Sequence, residues 1–132
     1  MEVDMTPHVL LLDNNVELSH MYSRAFRTRG CETRAIYDAE TALRELKEGD
    51  FVPDVIVMDV MMPNMNGVQF LTEIRKDERF ENVPVIALTN MRNDEYTEKF
   101  PEPAIDLFLN KLDHELSDVV ERVIDIVTKH QA

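Results

Sequence analysis

Residues 55–67 read VIVMDVMMPNMNG, and this stretch decides the fold. Its first four residues form an unbroken apolar run, which is typical of a short strand buried on both faces of a parallel sheet. The run ends at Asp59, and the proline and glycine that follow indicate a loop. The stretch therefore predicts a buried strand that presents one carboxylate at its carboxyl end.

Three other apolar runs are followed by a polar residue in the same way. Asp13 follows the first run, Thr89 follows the run at 85–88, and Lys111 lies just beyond the last. The carboxyl ends of parallel strands share one edge of a sheet, and ligands of such folds bind beyond that edge. We therefore expect Asp13, Asp59, Thr89 and Lys111 to meet there.

Apolar residues that recur at three- and four-residue steps predict the helices. Such patterns follow Asp13 and Gly67, and another begins after Asp38, a predicted N-cap, and ends before Gly49. A continuous apolar stripe over residues 116–127 predicts a C-terminal helix.

Five strands are predicted between these helices, at residues 9–12, 32–36, 54–58, 85–88 and 105–109. Strands that alternate with helices predict an α/β fold, in which right-handed βαβ crossovers build a doubly wound parallel sheet with helices on both faces. The runs at 32–36 and 105–109 mix polar with apolar residues, so we expect them at the edges, in the strand order 2-1-3-4-5. A short further helix is expected between residues 90 and 104.

Length and composition limit the function. The chain has 132 residues, so we expect a single domain over residues 1–132 with a core from about 8 to 129. No apolar run approaches the ~20 residues of a membrane-spanning helix, and no membrane association is expected. A net charge of -12 repels phosphate backbones, which argues against direct nucleic-acid binding. The N-terminus lacks signal-peptide features and Cys31 has no partner for an internal disulfide, so a cytoplasmic location is expected.

The chain resembles a response-regulator receiver domain, the phosphoacceptor module of two-component signalling, from about residue 8 to about residue 129. The residues that carry the resemblance are Asp13, Asp59 with the loop from Met61 to Gly67, Thr89, Phe108 and Lys111. Receivers have a flavodoxin-like fold, which agrees with the sheet predicted above.

The resemblance implies a phosphorylation-dependent switch. Asp59 would accept the phosphoryl group, and Thr89 and Lys111 would contact the phosphoryl oxygens. Thr89 and Phe108 would form the switch, in which the aromatic ring rotates inward after phosphorylation. The implied phosphoryl donor is a sensor histidine kinase or a phosphotransfer protein, and the implied target is a downstream effector protein or domain. Formation of a homodimer stays open.

The resemblance also implies a Mg2+ site. Its protein ligands would be Asp13, Asn14, Asp59 and the backbone carbonyl of Met61, since Mg2+ prefers oxygen ligands and keeps several waters. Receivers usually have a second acid where this chain has Asn14. The amide removes one negative charge, and we therefore expect weakened Mg2+ binding.

Two further departures concern the same loops. Receivers usually have proline after the lysine, and Leu112 at this place predicts a trans peptide bond, because a cis bond without proline costs ~2.5–4 kcal/mol.

Met61 and Met91 occupy the two positions that flank the phosphoryl group in receivers. Neither side chain can orient an attacking water, so we expect a long-lived phosphorylated form.

Other functions fit the sequence less well. Asn14 and Leu112 favour a degenerate receiver that binds its partner without phosphorylation. The presence of the four other site residues argues against it; these are Asp59, Thr89, Phe108 and Lys111. An aspartate-nucleophile phosphatase usually has a second aspartate where Met61 stands, so no turnover enzyme is expected. A flavin carrier would need a phosphate-binding loop of Gly, Ser and Thr after residue 12, and that loop is absent.

Overall fold

The computed structural model describes residues 6–90, 105–111 and 113–131. The predicted short helix within 90–104, the side chain of Met91 and the peptide bond to Leu112 lie outside these residues. The elements in chain order are β1 (His8–Leu12), α1 (Val16–Thr28), β2 (Glu32–Ile36), α2 (Ala39–Glu48), β3 (Val55–Met58), α3 (Gly67–Ile74), a 3-10 turn (Glu78–Phe80), β4 (Val85–Thr89), β5 (Leu107–Asn110) and α4 (Leu116–Gln131).

The five strands form one parallel sheet in the order β2-β1-β3-β4-β5, and the predicted strand order is confirmed. The two strands with mixed sequences, β2 and β5, lie at the edges as expected. In the register of the sheet Leu12 of β1 is beside Met58 of β3. The residues that follow these two, Asp13 and Asp59, are therefore neighbours at the carboxyl end of the sheet.

Side chains of the central strands alternate between two cores, because successive residues of a strand point to opposite faces. Leu10, Leu12, Ile56 and Met58 pack with the apolar residues of α2 and α3 on one face. The residues between them pack with α1 and α4 on the other face, in a core that contains Val9, Leu11, Val55, Val57, Tyr22, Phe26, Val119, Val120, Val123 and Val127. The predicted covering of both faces is thus confirmed.

Helices α1, α2 and α3 begin at side-chain caps. The carboxylate of Asp38 accepts the backbone N–H of Thr41 at 2.7 Å at the start of α2, which confirms the predicted N-cap. Asn66 caps α3 and forms a capping box with Gln69, each side chain accepting the other residue's backbone N–H at 2.9 Å. The caps fix where each helix leaves its loop.

Two strands begin later than predicted, and in both cases a carboxylate explains the difference. Asp54 lies before β3, and its side chain accepts the backbone N–H of His8 at 2.7 Å. Asp106 lies before β5, and its side chain accepts the backbone N–H of Val85 at 2.7 Å. β1 starts one residue earlier than predicted, at His8. β4 and β5 each extend one residue further than predicted, to Thr89 and Asn110.

Among the residues that the structure describes, no helix is both long and apolar enough to cross a membrane. Cys31, just before β2, is buried and its thiol is not in a disulfide.

Gly67 connects the fold to the loop after β3. Its backbone N–H donates to the carbonyl of Val60 at 2.9 Å, which brings the start of α3 close to the end of β3. A Cβ atom at Gly67 would lie 2.7 Å from the carbonyl oxygen of Asp59 and 3.0 Å from the Cα of Val60. Only glycine fits this approach without a backbone shift.

We expect Gly67→Ala to lower the free energy of unfolding by about 1–3 kcal/mol, because the methyl group meets backbone atoms that cannot rotate away. Urea denaturation measures this change. Gly30→Asn is the control: at Gly30 nothing lies within 4 Å of an added Cβ, and asparagine tolerates its φ of +83°. Equal stability of Gly67→Ala and the wild type would contradict the close approach.

Candidate functional site

Four predicted side chains meet at the carboxyl end of the sheet. Asp13 follows β1 and Asp59 follows β3, where the backbone N–H of Asp59 donates to the carbonyl of Leu12 at 2.9 Å. Thr89 ends β4, and its carbonyl accepts the backbone N–H of Lys111 at 2.9 Å. Asp13, Asp59 and Thr89 are buried, with 3%, 7% and 0% of their surface exposed.

The ammonium of Lys111 bridges the two carboxylates. Its Nζ lies 2.6 Å from Oδ2 of Asp13 and 3.0 Å from Oδ2 of Asp59. The three side chains are between 5% and 13% exposed, so little water screens the contacts. Charge-assisted hydrogen bonds of this length are among the stronger polar interactions in proteins.

The remaining carboxylate oxygens accept backbone N–H groups. Oδ1 of Asp13 accepts the N–H of Asn15 at 2.9 Å, and Oδ1 of Asp59 accepts the N–H of Met61 at 3.0 Å. In both loops the donor lies two residues after the acid. Each carboxylate is therefore fixed through both of its oxygens, and its orientation follows from the loop backbone.

The electrostatic balance of the site is negative. Burial alone would lower the pKa of Lys111, but its hydrogen bonds to Asp13 and Asp59 outweigh this effect and raise the pKa above its ordinary value. The stability that this pairing contributes is present below the ordinary pKa of lysine and is lost as the pH rises through the raised value. At neutral pH one ammonium faces two carboxylates, so the site has one negative charge in excess.

A cavity of about 460 Å³ opens above these side chains. Its lining residues are Asp13, Asn14, Asn15, Asp59, Met61, Thr89, Asn90 and Lys111. Six of the seven residues predicted for the site thus line one cavity. Phe108 does not line it; this residue is half-buried on β5 and packs against a small apolar cluster that contains Val60, Val68 and Ala87.

The donor set of the cavity fits Mg2+. It offers carboxylate oxygens from Asp13 and Asp59 and an amide from Asn14, and Mg2+ prefers such oxygen ligands. Within the described residues no group of three or more His, Cys, Asp and Glu side chains could hold a metal ion. The chain therefore supplies a partial ligand set, and water would complete an octahedral shell, as is usual for Mg2+.

Two residues that contribute to the site, Asn15 and Asn90, were not predicted as site residues from the sequence. Asn15 holds Asp13 through its N–H and also caps α1, its side chain accepting the N–H of Leu18 at 3.0 Å. The signal for this cap was present, because an asparagine before an apolar helical pattern is a typical start signal. Asn90, which lines the cavity, had no comparable signal.

A family model covers most of the chain: the response regulator receiver domain matches residues 9–123. Among curated proteins, regulatory protein AtoC of Escherichia coli is 32% identical over 120 residues, which make up 89% of this chain and 25% of that protein. Hybrid signal transduction histidine kinase D of Dictyostelium discoideum is 26% identical over 126 residues, 96% of this chain and 8% of that protein. The chain thus spans a quarter or less of the length of these relatives.

Solved structures show the same fold. The receiver domain of the Francisella response regulator 1452 superimposes with a TM-score of 0.79 at 28% identity, and the match covers 96% of this chain and 100% of that one. The chemotaxis response regulator CheY4 of Vibrio cholerae gives a TM-score of 0.80 at 24% identity, covering 93% of this chain and 99% of that one. The second likeness supports the fold alone.

The bridging ammonium leads to a prediction about stability. We expect Lys111→Met to lower the free energy of unfolding by about 3 kcal/mol in the presence of a chelator, because two buried carboxylates lose their shared counter-charge. Mg2+ should restore more stability to this variant than it adds to the wild type, because the cation then has no ammonium to displace. Urea denaturation with and without Mg2+ measures both effects.

Lys76→Met is the matched control for this experiment. Lys76 pairs with Glu73 at 2.9 Å on the surface, where its side chain is 65% exposed, so its removal should change stability little and independently of Mg2+. A Lys111→Met variant as stable as the wild type in chelator would contradict the role given to the bridge.

Proposed function

The chain belongs to the response regulator receiver domain family, and from this premise we propose that Asp59 is its phosphoryl acceptor. Receiver domains are phosphorylation-dependent switches of two-component signalling, and this domain is one of them. The observation that carries the assignment is the position of Asp59 directly after the central strand β3. Asp13 directly follows β1, the neighbouring strand on one side, and Thr89 ends β4, the neighbouring strand on the other side.

The arrangement favours attack by Asp59 on phosphorus. A carboxylate oxygen forms the new P–O bond while the bond between phosphorus and the donor breaks, and negative charge spreads over the phosphoryl oxygens. Lys111 is already within 3.0 Å of Asp59, so its ammonium can contact an incoming phosphoryl oxygen after a small movement. The hydroxyl of Thr89, which lines the same cavity, can donate to another phosphoryl oxygen. The ammonium is held beside Asp59 before the reaction and needs little reorganisation.

Receiver domains generally bind Mg2+ at an acidic pocket, and we propose the same for this chain. Asp13, Asp59, the amide of Asn14 and the backbone carbonyl of Met61 would hold the ion. When bound, the ion neutralises the carboxylates and the phosphoryl oxygens and so lowers the repulsion between them. Because Asn14 replaces an acid, we propose weaker Mg2+ binding than in receivers with two acids at this loop.

Thr89 and Phe108 are proposed as the switch. Thr89 belongs to β4 and pairs in register with Asn110 of β5, two residues after Phe108. A phosphoryl group that draws Thr89 towards Asp59 therefore pulls on the strand pair that contains Phe108. Coupling of this kind converts a local change of charge into a change in the shape of the protein surface near Phe108.

The relatives indicate the partners. They include response regulators and a hybrid histidine kinase, so the family partners are histidine kinases. For this chain we propose phosphoryl transfer from a sensor histidine kinase or a phosphotransfer protein in the cytoplasm, and contact with a downstream effector. A homodimer is one form such contact can take. Direct nucleic-acid binding is disfavoured by the net charge of -12.

The alternative of a phosphorylation-independent binding module is less well supported. Such a module would not need a hydroxyl and an ammonium fixed beside the buried carboxylate of Asp59. We propose that the domain assists its own phosphorylation and dephosphorylation without being a turnover enzyme.

We expect a small phosphodonor such as acetyl phosphate, with Mg2+, to add one phosphoryl group to the wild type and none to Asp59→Asn. Intact-protein mass spectrometry detects the adduct. Asp54→Asn is the matched control, since Asp54 lies at the opposite end of β3 and should leave phosphorylation unchanged. An adduct on Asp59→Asn, or no adduct on the wild type, would refute the assignment.

We expect Asn14→Asp to raise Mg2+ affinity about fivefold or more, because an added unit charge near the ion contributes about 1 kcal/mol or more. Titration followed by NMR or calorimetry measures the affinity. Asn15→Asp is the control, because it adds the same charge one residue away while aspartate keeps the cap of α1. Equal gains in both variants would mean that overall charge, and not a ligand at Asn14, sets the affinity.

A further inference from the structure

Met61 is the most exposed large apolar side chain among the described residues. It is 57% exposed, whereas Met58 and Met62 in the same stretch are 0% and 8% exposed. An apolar side chain gains little stability at such exposure, because little of its surface is removed from water. Core packing therefore does not explain the thioether at this place.

The position of Met61 is fixed relative to the site. Its backbone N–H donates to Oδ1 of Asp59 at 3.0 Å, and the residue lines the cavity that contains Asp13, Asp59 and Lys111. The residue is thus more than half exposed to solvent while its backbone is hydrogen-bonded to the proposed phosphoryl acceptor. A chemical change at the sulfur would take place at the wall of this cavity.

We propose that Met61 is a redox-modification site, at which a peroxide converts the thioether to a sulfoxide and thereby shortens the lifetime of the phosphoryl group on Asp59. This inference rests on the function proposed above. A sulfur lone pair attacks one oxygen of hydrogen peroxide, and the S–O bond forms as the O–O bond breaks. The transferred oxygen loses its proton, and the other oxygen leaves as water. Sulfur loses two electrons and the peroxide gains them.

The sulfoxide changes what the cavity wall can do. The thioether of Met61 is only a weak hydrogen-bond acceptor, so it would not hold a water at the cavity wall. A sulfoxide is polar and has an oxygen that accepts hydrogen bonds. This oxygen can hold a water beside the phosphoryl group and favour its attack on phosphorus. We expect hydrolysis at least about threefold faster, well below the ~100-fold of a positioned general base, because a sulfoxide oxygen is a weak base.

The chain contains a control for exposure alone. Met21 on α1 is 52% exposed, nearly as much as Met61, but it does not line the cavity. A peroxide should oxidise both residues at comparable rates and Met58 and Met62 more slowly. Of these four methionines, only Met61 should affect the phosphoryl lifetime when it is oxidised.

The experiment compares the wild type, Met61→Leu and Met21→Leu. Each protein is treated with hydrogen peroxide or left untreated, the peroxide is removed, and peptide mass spectrometry gives the sulfoxide fraction at each methionine. Acetyl phosphate and Mg2+ are then added, the donor is removed, and the loss of the phosphoryl group is followed by intact-protein mass spectrometry. A final sample is treated with both methionine sulfoxide reductases before phosphorylation, since each reduces one epimer.

We expect oxidation to shorten the phosphoryl lifetime of the wild type and Met21→Leu at least about threefold, with recovery after reduction. The lifetime in Met61→Leu should not change with peroxide, measured against its own untreated sample. The inference is overturned by an unchanged lifetime at high Met61 oxidation, by an effect that persists in Met61→Leu, or by oxidation of Met61 as slow as that of Met62. Absence of any adduct in the untreated wild type would instead refute the proposed function, and this inference with it.

Discussion

The ion pairs of Lys111 with Asp13 and Asp59 are the interactions on which the site depends. Parallel strands in register place two carboxylates side by side at the end of the sheet, and both are largely removed from water. Two such charges repel each other and lose hydration, which is costly unless a cation lies between them. Lys111 supplies that cation from the edge strand β5. The site therefore needs all the strands between β1 and β5 in their correct order.

The sheet can place charged groups at its end because its central strands β1, β3 and β4 contain no Asp, Glu, Lys or Arg. Residues of the central strands are apolar on both faces, and each face has its own core. The first polar position after each strand is then also the first position outside the apolar layer. The same pattern of residues that drives the chain to fold determines where its chemistry can lie, and Gly67 keeps the following helix close to that position.

Much of the fold could be predicted because it depends on local patterns. Strand order, edge strands and the cap at Asp38 follow from apolar runs and single polar residues. The starts of β3 and β5 were wrong because the side chains of Asp54 and Asp106 accept hydrogen bonds from neighbouring segments, which local propensity does not describe. The ends of an element are accordingly harder to predict from sequence than its existence.

The members of the candidate site and their place at the carboxyl ends of the strands were predictable, but the contacts between them were not. The resemblance associated Lys111 with a phosphoryl oxygen and not with two carboxylates at once. That bridge depends on the distances between side chains at three strand ends, which a linear sequence does not give. The role of Asn15 is similar, because its backbone N–H has no side-chain signal of its own.

The bridge also gives a physical meaning to Asn14. With a second acid in this loop, one ammonium would face three carboxylates, and the site would depend more strongly on a bound cation. With Asn14, one ammonium and two backbone donors contact only two acids, and one negative charge remains in excess. The amide that we propose weakens Mg2+ binding should therefore also make the metal-free site easier to maintain. We expect this one side chain to change the affinity for the cation and the stability without it in opposite directions.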